Sequence, residues 1–436
     1  MRNNGWKRMI CLTGTAAMVV SLLAGCGSAS SSETSASSGS ASSASASSAS
    51  SASGTAAASS GTEGVTGSSA ESVSSTSGAG SESFTTDSNG NKVWSSDEII
   101  AASDSDGLDK EAIIKAAAEA GKVGNWGLGN EYEVEALLAK YGLPTDYLSE
   151  DFTMDGFDDD SITLASAMTY NELGLVTNSY DGGYGYGDSA HVIDMNEEGV
   201  AMLEDNIFCT KDFAEQNPQT VEAFLYASIK GWEYAVAHPQ EAAQIVYEAG
   251  SSVSQDHQSY MASEVAKLVT TDTKGNKVTD IGNMDDDAMQ QTLDLAKQYV
   301  SLDDSGAQDK LKSFTLDDIR DKQYLEAAKS SDGTFKPEKS EVSIQLKWLP
   351  QAQFMGYYVA DALGYYDEVG LKVNIVSGGG DISETTAVNN GTVDFGVTWV
   401  TNLASANAGG MNLLEIAQIY QRSGLELVYK PENFKQ

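Results

Sequence analysis

The chain of 436 residues carries 63 acidic against 26 basic side chains, a formal net charge of −37. A surface this acidic repels polyanions, which sets nucleic acid aside as a partner. Beyond residue 26, arginine occurs only at Arg320 and Arg422, which counts against a site that clamps sulfonate or phosphate with guanidinium forks, and cysteine occurs only at Cys209, which excludes an intrachain disulfide and a cysteine-built metal site there.

Arg2, Lys7 and Arg8 precede a short apolar stretch that ends in Leu23-Ala24-Gly25-Cys26. The stretch is too short to span a bilayer comfortably and contains Gly14 and Thr15, and with its cysteine box it resembles a bacterial lipoprotein signal. Residues 1–25 are expected to leave as a signal peptide and Cys26 to carry the lipid, so the protein is expected to be lipid-anchored on the extracytoplasmic face of a bacterial cell membrane. Residues 26–92, the cysteine followed by Ser, Ala, Gly and Thr, have almost nothing to bury and are expected to form a disordered tether. The remaining ~345 residues exceed one ordinary core and suggest two lobes.

Residues 93–121 read as a helical lead-in, with Asp109 as an N-cap for its second segment. Residues 122–205 read as one lobe. It opens with Gly124-Asn125-Trp126-Gly127-Leu128-Gly129-Asn130, a short strand and a glycine turn feeding a helix from Tyr132, which is neither a dinucleotide fingerprint nor a phosphate loop. Residues 161–168 are followed by Thr169-Tyr170-Asn171-Glu172 at an element end, residues 191–194 form a strand, and 204–209 form a strand leaving this lobe. Residues 206–330 are mainly helical, with Phe224, Leu225, Ile229, Trp232 and Ala235 on one amphipathic face. Residues 331–340 are a polar connector.

Residues 341–436 return to strands and helices. Val342, Ile344 and Leu346 alternate with polar residues as a strand, which Lys347-Trp348-Leu349-Pro350-Gln351 ends. Phe354, Tyr357, Tyr358, Ala360 and Leu363 follow at helical spacing, and Gly364 stands where a left-handed helix end is usual. A second strand runs from Leu371 into Ser377-Gly378-Gly379-Gly380-Asp381, and two more cover residues 394–399 and 413–419. Loops at the carboxyl ends of such strands are a natural place for a small ligand.

Taken together, QLKWLPQAQFMGYYVADALGYYDEVGL, VDFGVTW, IAQIYQRSG, GNWGLGNEYE, AMTYNE and AMLEDNIF resemble the periplasmic substrate-binding proteins of the thiamine-pyrimidine-precursor, riboflavin and nitrate/sulfonate/taurine group. The resemblance implies an α/β fold, a two-lobed type II periplasmic binding protein with mostly parallel sheets. Segments that come late in the family come first here, so the fold is expected to be circularly permuted, with 331–340 joining the family's natural termini. Residues 122–205 would then be the second lobe, and 206–330 with 341–436 the first. A truncated second copy or an assembly artefact of the gene is the alternative.

The resemblance further implies a binding component of an ABC importer, not an enzyme, without cofactor or metal and monomeric. It would take a small aromatic solute akin to a thiamine pyrimidine precursor and pass it to the membrane subunits; riboflavin and the sulfonate-type anions are the alternatives. Trp348 would stack on the ring and Gln351 bond its edge, with Tyr357 beside them. Tyr170, Asn171 and Glu172 would supply a tyrosine and a carboxylate, while Gly379 and Asp381 would meet a polar ligand end. Trp126 and Asn130 would face them from the other lobe, and Trp399 sits at a strand end where burial alone explains it equally well. A related fungal pyrimidine synthase spends its own histidine and uses a cysteine-rich iron site, whereas His191, His238 and His257 match no ligand segment here. A surface sensor remains the third class.

Overall fold

The computed structural model describes residues 84–251 and 253–435. The leader, Cys26 and the tether as far as residue 83 lie outside those residues. The first five strands are β1 (Gly124–Asn125), β2 (Leu148–Ser149), β3 (Ala165–Met168), β4 (His191–Asp194) and β5 (Asn206–Thr210). The next five are β6 (Glu341–Gln345), β7 (Lys372–Val376), β8 (Phe395–Thr398), β9 (Leu413–Gln418) and β10 (Leu425–Tyr429).

The architecture is mixed α/β with several sheets. A five-stranded sheet has the order β7-β6-β8-β5-β9, a three-stranded sheet the order β3-β10-β4, and β1 pairs with β2. The β1–β2 pair is tied to the three-stranded sheet by a parallel bridge between Val123 and Leu164.

The expectation of mostly parallel sheets needs correction. In the large sheet β6 runs parallel to β7 and β8, but β5 is antiparallel to both β8 and β9. In the small sheet β10 is antiparallel to both β3 and β4. These two strands are the ones that the chain enters after crossing between sheets, at residues 195–205 and 419–424. Asn206, the first residue of β5, pairs with Thr398 and Gln418 at the carboxyl ends of β8 and β9. Leu425 likewise opens β10 opposite Met168, the last residue of β3. A chain that leaves one sheet at its carboxyl edge and enters the next at the facing carboxyl edge must run against its new neighbours. The same crossing corrects the C-terminal boundary: 341–436 does not stay with one sheet, because β10 completes the small one.

The large sheet is packed by apolar helix faces. The helix Pro218–Ala237 starts with proline at its first turn, where no N–H is needed, and buries Val221, Phe224, Leu225 and Trp232. Phe224 stacks on Phe395 of β8 at 4.0 Å between ring centroids. A side chain at Gly231 would come within 2.2 Å of the Gly356 carbonyl, so glycine is what lets this helix touch the helix Met355–Ala362. Gly364 has the left-handed φ of +75° expected of it.

Residues 331–340 run without regular structure beside that long helix, and the Glu338 carboxylate accepts from Gln219 N at 3.2 Å and Thr220 N at 2.9 Å at its start. In the lead-in, Asp109 caps the helix Lys110–Glu119, its side chain accepting from Glu111 N. The last residues assigned to the tether are ordered: Thr86 and Lys92 form an antiparallel bridge, and Ser88 Oγ donates to Asp256 at 2.7 Å. Asp87 closes that turn by accepting from Asn89 N and Asn91 N, local bonds that composition does not reveal.

Candidate functional site

Between the facing carboxyl edges lies a cavity of about 430 Å³ including its mouth. Trp126, Phe152, Trp348 and Trp399 give it aromatic walls, Leu128 and Met168 add apolar surface, and Tyr170, Asn171, Glu172, Lys347, Gln351 and Gln353 bring polar groups. An open groove shares Leu128, Lys347 and Trp348 and continues past Gly379, Asp381 and Glu384.

The small-sheet wall is built where β3 ends and the helix Glu172–Thr177 begins. The Glu172 side chain turns back over the strand end, accepting from Met168 N at 3.0 Å and from Asn171 Nδ2 at 2.6 Å. Burial holds its pKa above the usual carboxylate range. Asn171 Oδ1 lies 2.8 Å from His257 Nε2. His257 is buried, which lowers its pKa to about 4 and keeps the ring neutral, and because Asn171 turns its NH₂ to the Glu172 carboxylate and its Oδ1 to the ring, the proton is on Nε2, which donates to Asn171. The two bonds together hold the Asn171 amide in one orientation. Tyr170 is held edge-on by Tyr420 at 5.9 Å.

The large-sheet wall is organised around Asp205, the last residue of the first crossing. It is 2% exposed and has a positive φ of 33°. Its Oδ1 accepts from Trp399 Nε1 at 3.0 Å and its Oδ2 from Gln353 Nε2 at 2.8 Å. Gln351 Nε2 in turn donates to Gln353 Oε1 at 2.9 Å. Burial raises the Asp205 pKa to about 6, opposed by the Gln353 and Trp399 bonds and the Lys347 charge. Lys347 Nζ sits 4.4 Å from the centre of the Trp399 ring and 3.5 Å from Glu384 Oε1. Phe152 spans the mouth, 6.2 Å from Trp126 and 5.1 Å from Trp348, and is 46% exposed.

Of the residues singled out in the sequence, Trp126, Tyr170, Asn171, Glu172, Trp348, Gln351 and Trp399 all line this cavity. Gly379 and Asp381 line the adjoining groove, where Gly378 N donates to Trp348 O at 2.9 Å. Two expectations are corrected. Tyr357 lies in the core, 1% exposed and edge-on to Trp232 at 5.6 Å, because it falls on the buried face of its helix. Asn130 stands at the N-cap of the helix Glu131–Lys140, 2% exposed, with its Nδ2 against the Met168 sulfur at 3.9 Å, behind the wall and outside the cavity lining.

Phe152, Lys347, Gln353 and Asp205 were missed. Lys347 and Gln353 flank Trp348 and Gln351 in one motif, and Asp205 belongs to the LEDNIF stretch; Phe152 carries no sequence signal.

The crossings behind the cavity are bound to each other by buried acids. Ser423 Oγ lies 3.0 Å from Glu133 Oε2 and 3.2 Å from Glu204 Oε1, and Gly424 N donates to Glu204 Oε2 at 3.2 Å. Arg422 pairs with Asp194 at 2.6 Å.

A family model described as NMT1/THI5 like matches residues 114–242 and 351–434. The first stretch contributes Trp126, Phe152, Tyr170 and Glu172 to the cavity and the second Gln351, Gln353 and Trp399, with Lys347 and Trp348 just outside it. These two stretches are similar to the NMT1/THI5-like type of domain, a type that covers the substrate-binding group of ABC transporters, is made up mostly of solute-binding proteins and includes a synthase-like member. No curated protein and no solved structure matches the chain.

Proposed function

We propose that this protein is the extracytoplasmic binding lipoprotein of an ABC importer and captures a small aromatic heterocycle, of the aminopyrimidine kind found in thiamine precursors. The observation that carries this reading is the cavity itself: five aromatic rings and a buried carboxylate, Glu172, between the carboxyl edges of two sheets. A flat ring gains stacking area from Trp126 and Trp348, and Glu172 accepts its N–H groups. Among the described residues, only 195–205 and 419–424 carry the chain from a strand of one sheet to a strand of the other, so closure would bend these two segments, and ligand contacts to both walls would stabilise the shut form. The LAGC box supports anchorage through Cys26. The order of the motifs, with the GNWG and TYNE segments ahead of the QLKW strand, together with the connector at 331–340, is what supports a circular permutation.

The test is direct. Native mass spectrometry of the protein from its own host should carry a bound heterocycle, and adding that compound should raise the Tm. If no heterocyclic vitamin or precursor raises it, the reading is wrong.

A further inference from the structure

We infer that Asp205, acting through Gln353, fixes which end of the Gln351 amide faces the cavity, so that the site selects a ring edge that donates N–H over one that presents a carbonyl. The inference rests on the cavity being the ligand site, as proposed above. Asp205 is a positioning residue in it, since it does not line the cavity.

The polarity follows from the ends of the chain of bonds. Trp399 Nε1 has only a proton to give, so Asp205 Oδ1, 3.0 Å away, must accept. A carboxylate also accepts at Oδ2, so Gln353 must turn its NH₂ to Asp205 at 2.8 Å. That leaves Gln353 Oε1 facing Gln351, which must turn its own NH₂ to that oxygen at 2.9 Å. With its NH₂ so engaged, Gln351, which lines the cavity, is left with Oε1 as its remaining polar group. The segment cannot swing away: Ala352 N donates to Gln258 Oε1 at 2.7 Å and Tyr420 OH to Gln353 O at 3.2 Å. Glu172 is an acceptor on the opposite wall. Both polar anchors therefore accept, so an amino edge offered to Gln351 is favoured over an oxo edge.

Asp205→Asn keeps the shape and reverses the chain. Trp399 still needs an acceptor, so the introduced amide keeps its oxygen there and turns NH₂ to Gln353. Gln353 and Gln351 then flip in turn, and an N–H faces the cavity. The experiment is calorimetric titration of wild type, Asp205→Asn and Gln353→Leu with 4-aminopyrimidine and with pyrimidin-4-one, whose amino or oxo edges have opposite polarity. Wild type should favour the amino ring by about tenfold or more. Asp205→Asn should narrow or invert that ratio, and Gln353→Leu, which cuts the relay, should bring it toward one even if the first variant folds poorly. A merely structural role would weaken both rings by the same factor, and that result overturns the inference while leaving the proposed function standing. Wild type that binds neither ring overturns both.

Discussion

The two walls of the cavity hold their acids in different ways. Glu172 is fixed mainly by its own turn, through groups four and one residues away, with His257 as the distant support. Asp205 is fixed by Gln353 and Trp399, 148 and 194 residues away. A wall held locally keeps its shape wherever the surrounding sheet moves. A wall held by a crossing segment feels any bend in that segment, so the large-sheet wall is where ligand capture and chain crossing are mechanically joined.

Truncation of each acid is the strongest way to break this contrast. Asp205→Ala strands two buried donors, Trp399 Nε1 and Gln353 Nε2, each costing roughly 1–3 kcal/mol, so urea unfolding should lose about 2–4 kcal/mol. Glu172→Ala strands the buried Met168 N and also Asn171 Nδ2, but Asn171 is only half-buried at the cavity, where water can replace the lost partner, so the loss should be smaller. Equal losses would erase the distinction between the walls.

Stacking comes next. Trp348→Ala should weaken binding of the native solute by about ten- to a hundredfold, roughly 1–3 kcal/mol, measured by titration. Glu172→Gln keeps the shape and removes the charge, so an aminopyrimidine should lose sharply and a neutral flavin ring less. If both variants bind like wild type, the ligand sits elsewhere.

The acids behind the cavity give a pH test. Glu133 and Glu204 are both raised, chiefly by burial, and share the single hydroxyl hydrogen of Ser423, so a proton on the pair completes their bonding. Burial also raises Glu150 and Glu415 to about 8. Folded pKa values above the unfolded ones contribute stability that is fully present below about 4.5 and lost as pH rises through about 8. The Tm should therefore fall between pH 6 and pH 9, on the order of 5 °C. Asp286, lowered to about 2 by Lys322 and Arg320, works in the opposite sense only in acid and does not interfere. A flat or rising profile would mean that the crossings are not held by protonated acids.

Most of the small-sheet wall could be read from the sequence because its chemistry is contiguous: Tyr170, Asn171 and Glu172 stand together at a strand end. Trp348 and Gln351 were legible for the same reason. Asp205 was not, since its role comes from partners far along the chain and from a backbone φ that no aspartate advertises. Phe152 sits in a polar turn with no periodicity to mark it. The directions of β5 and β10 were hidden because they depend on which edge of a sheet a crossing chain enters. Tyr357 was misread because helical spacing alone does not say which face of the helix meets the ligand.

The smallest effect expected is at Cys209, and it tests how rigid the large-sheet wall is. Cys209 lies three residues past the first residue of β5, opposite Phe395 and Leu414, fully buried, with burial raising its thiol pKa. Cys209→Ala removes one sulfur and should cost about 1 kcal/mol. The wild-type thiol should react with a disulfide reagent only as fast as the whole protein unfolds, with or without solute, because β5 is paired on both sides. Rapid labelling in the folded state, slowed by bound solute, would mean that β5 opens locally when the first crossing bends. Asp205, one residue before that strand, would then belong to a moving wall, and the contrast between a rigid large-sheet frame and a flexible crossing would fail.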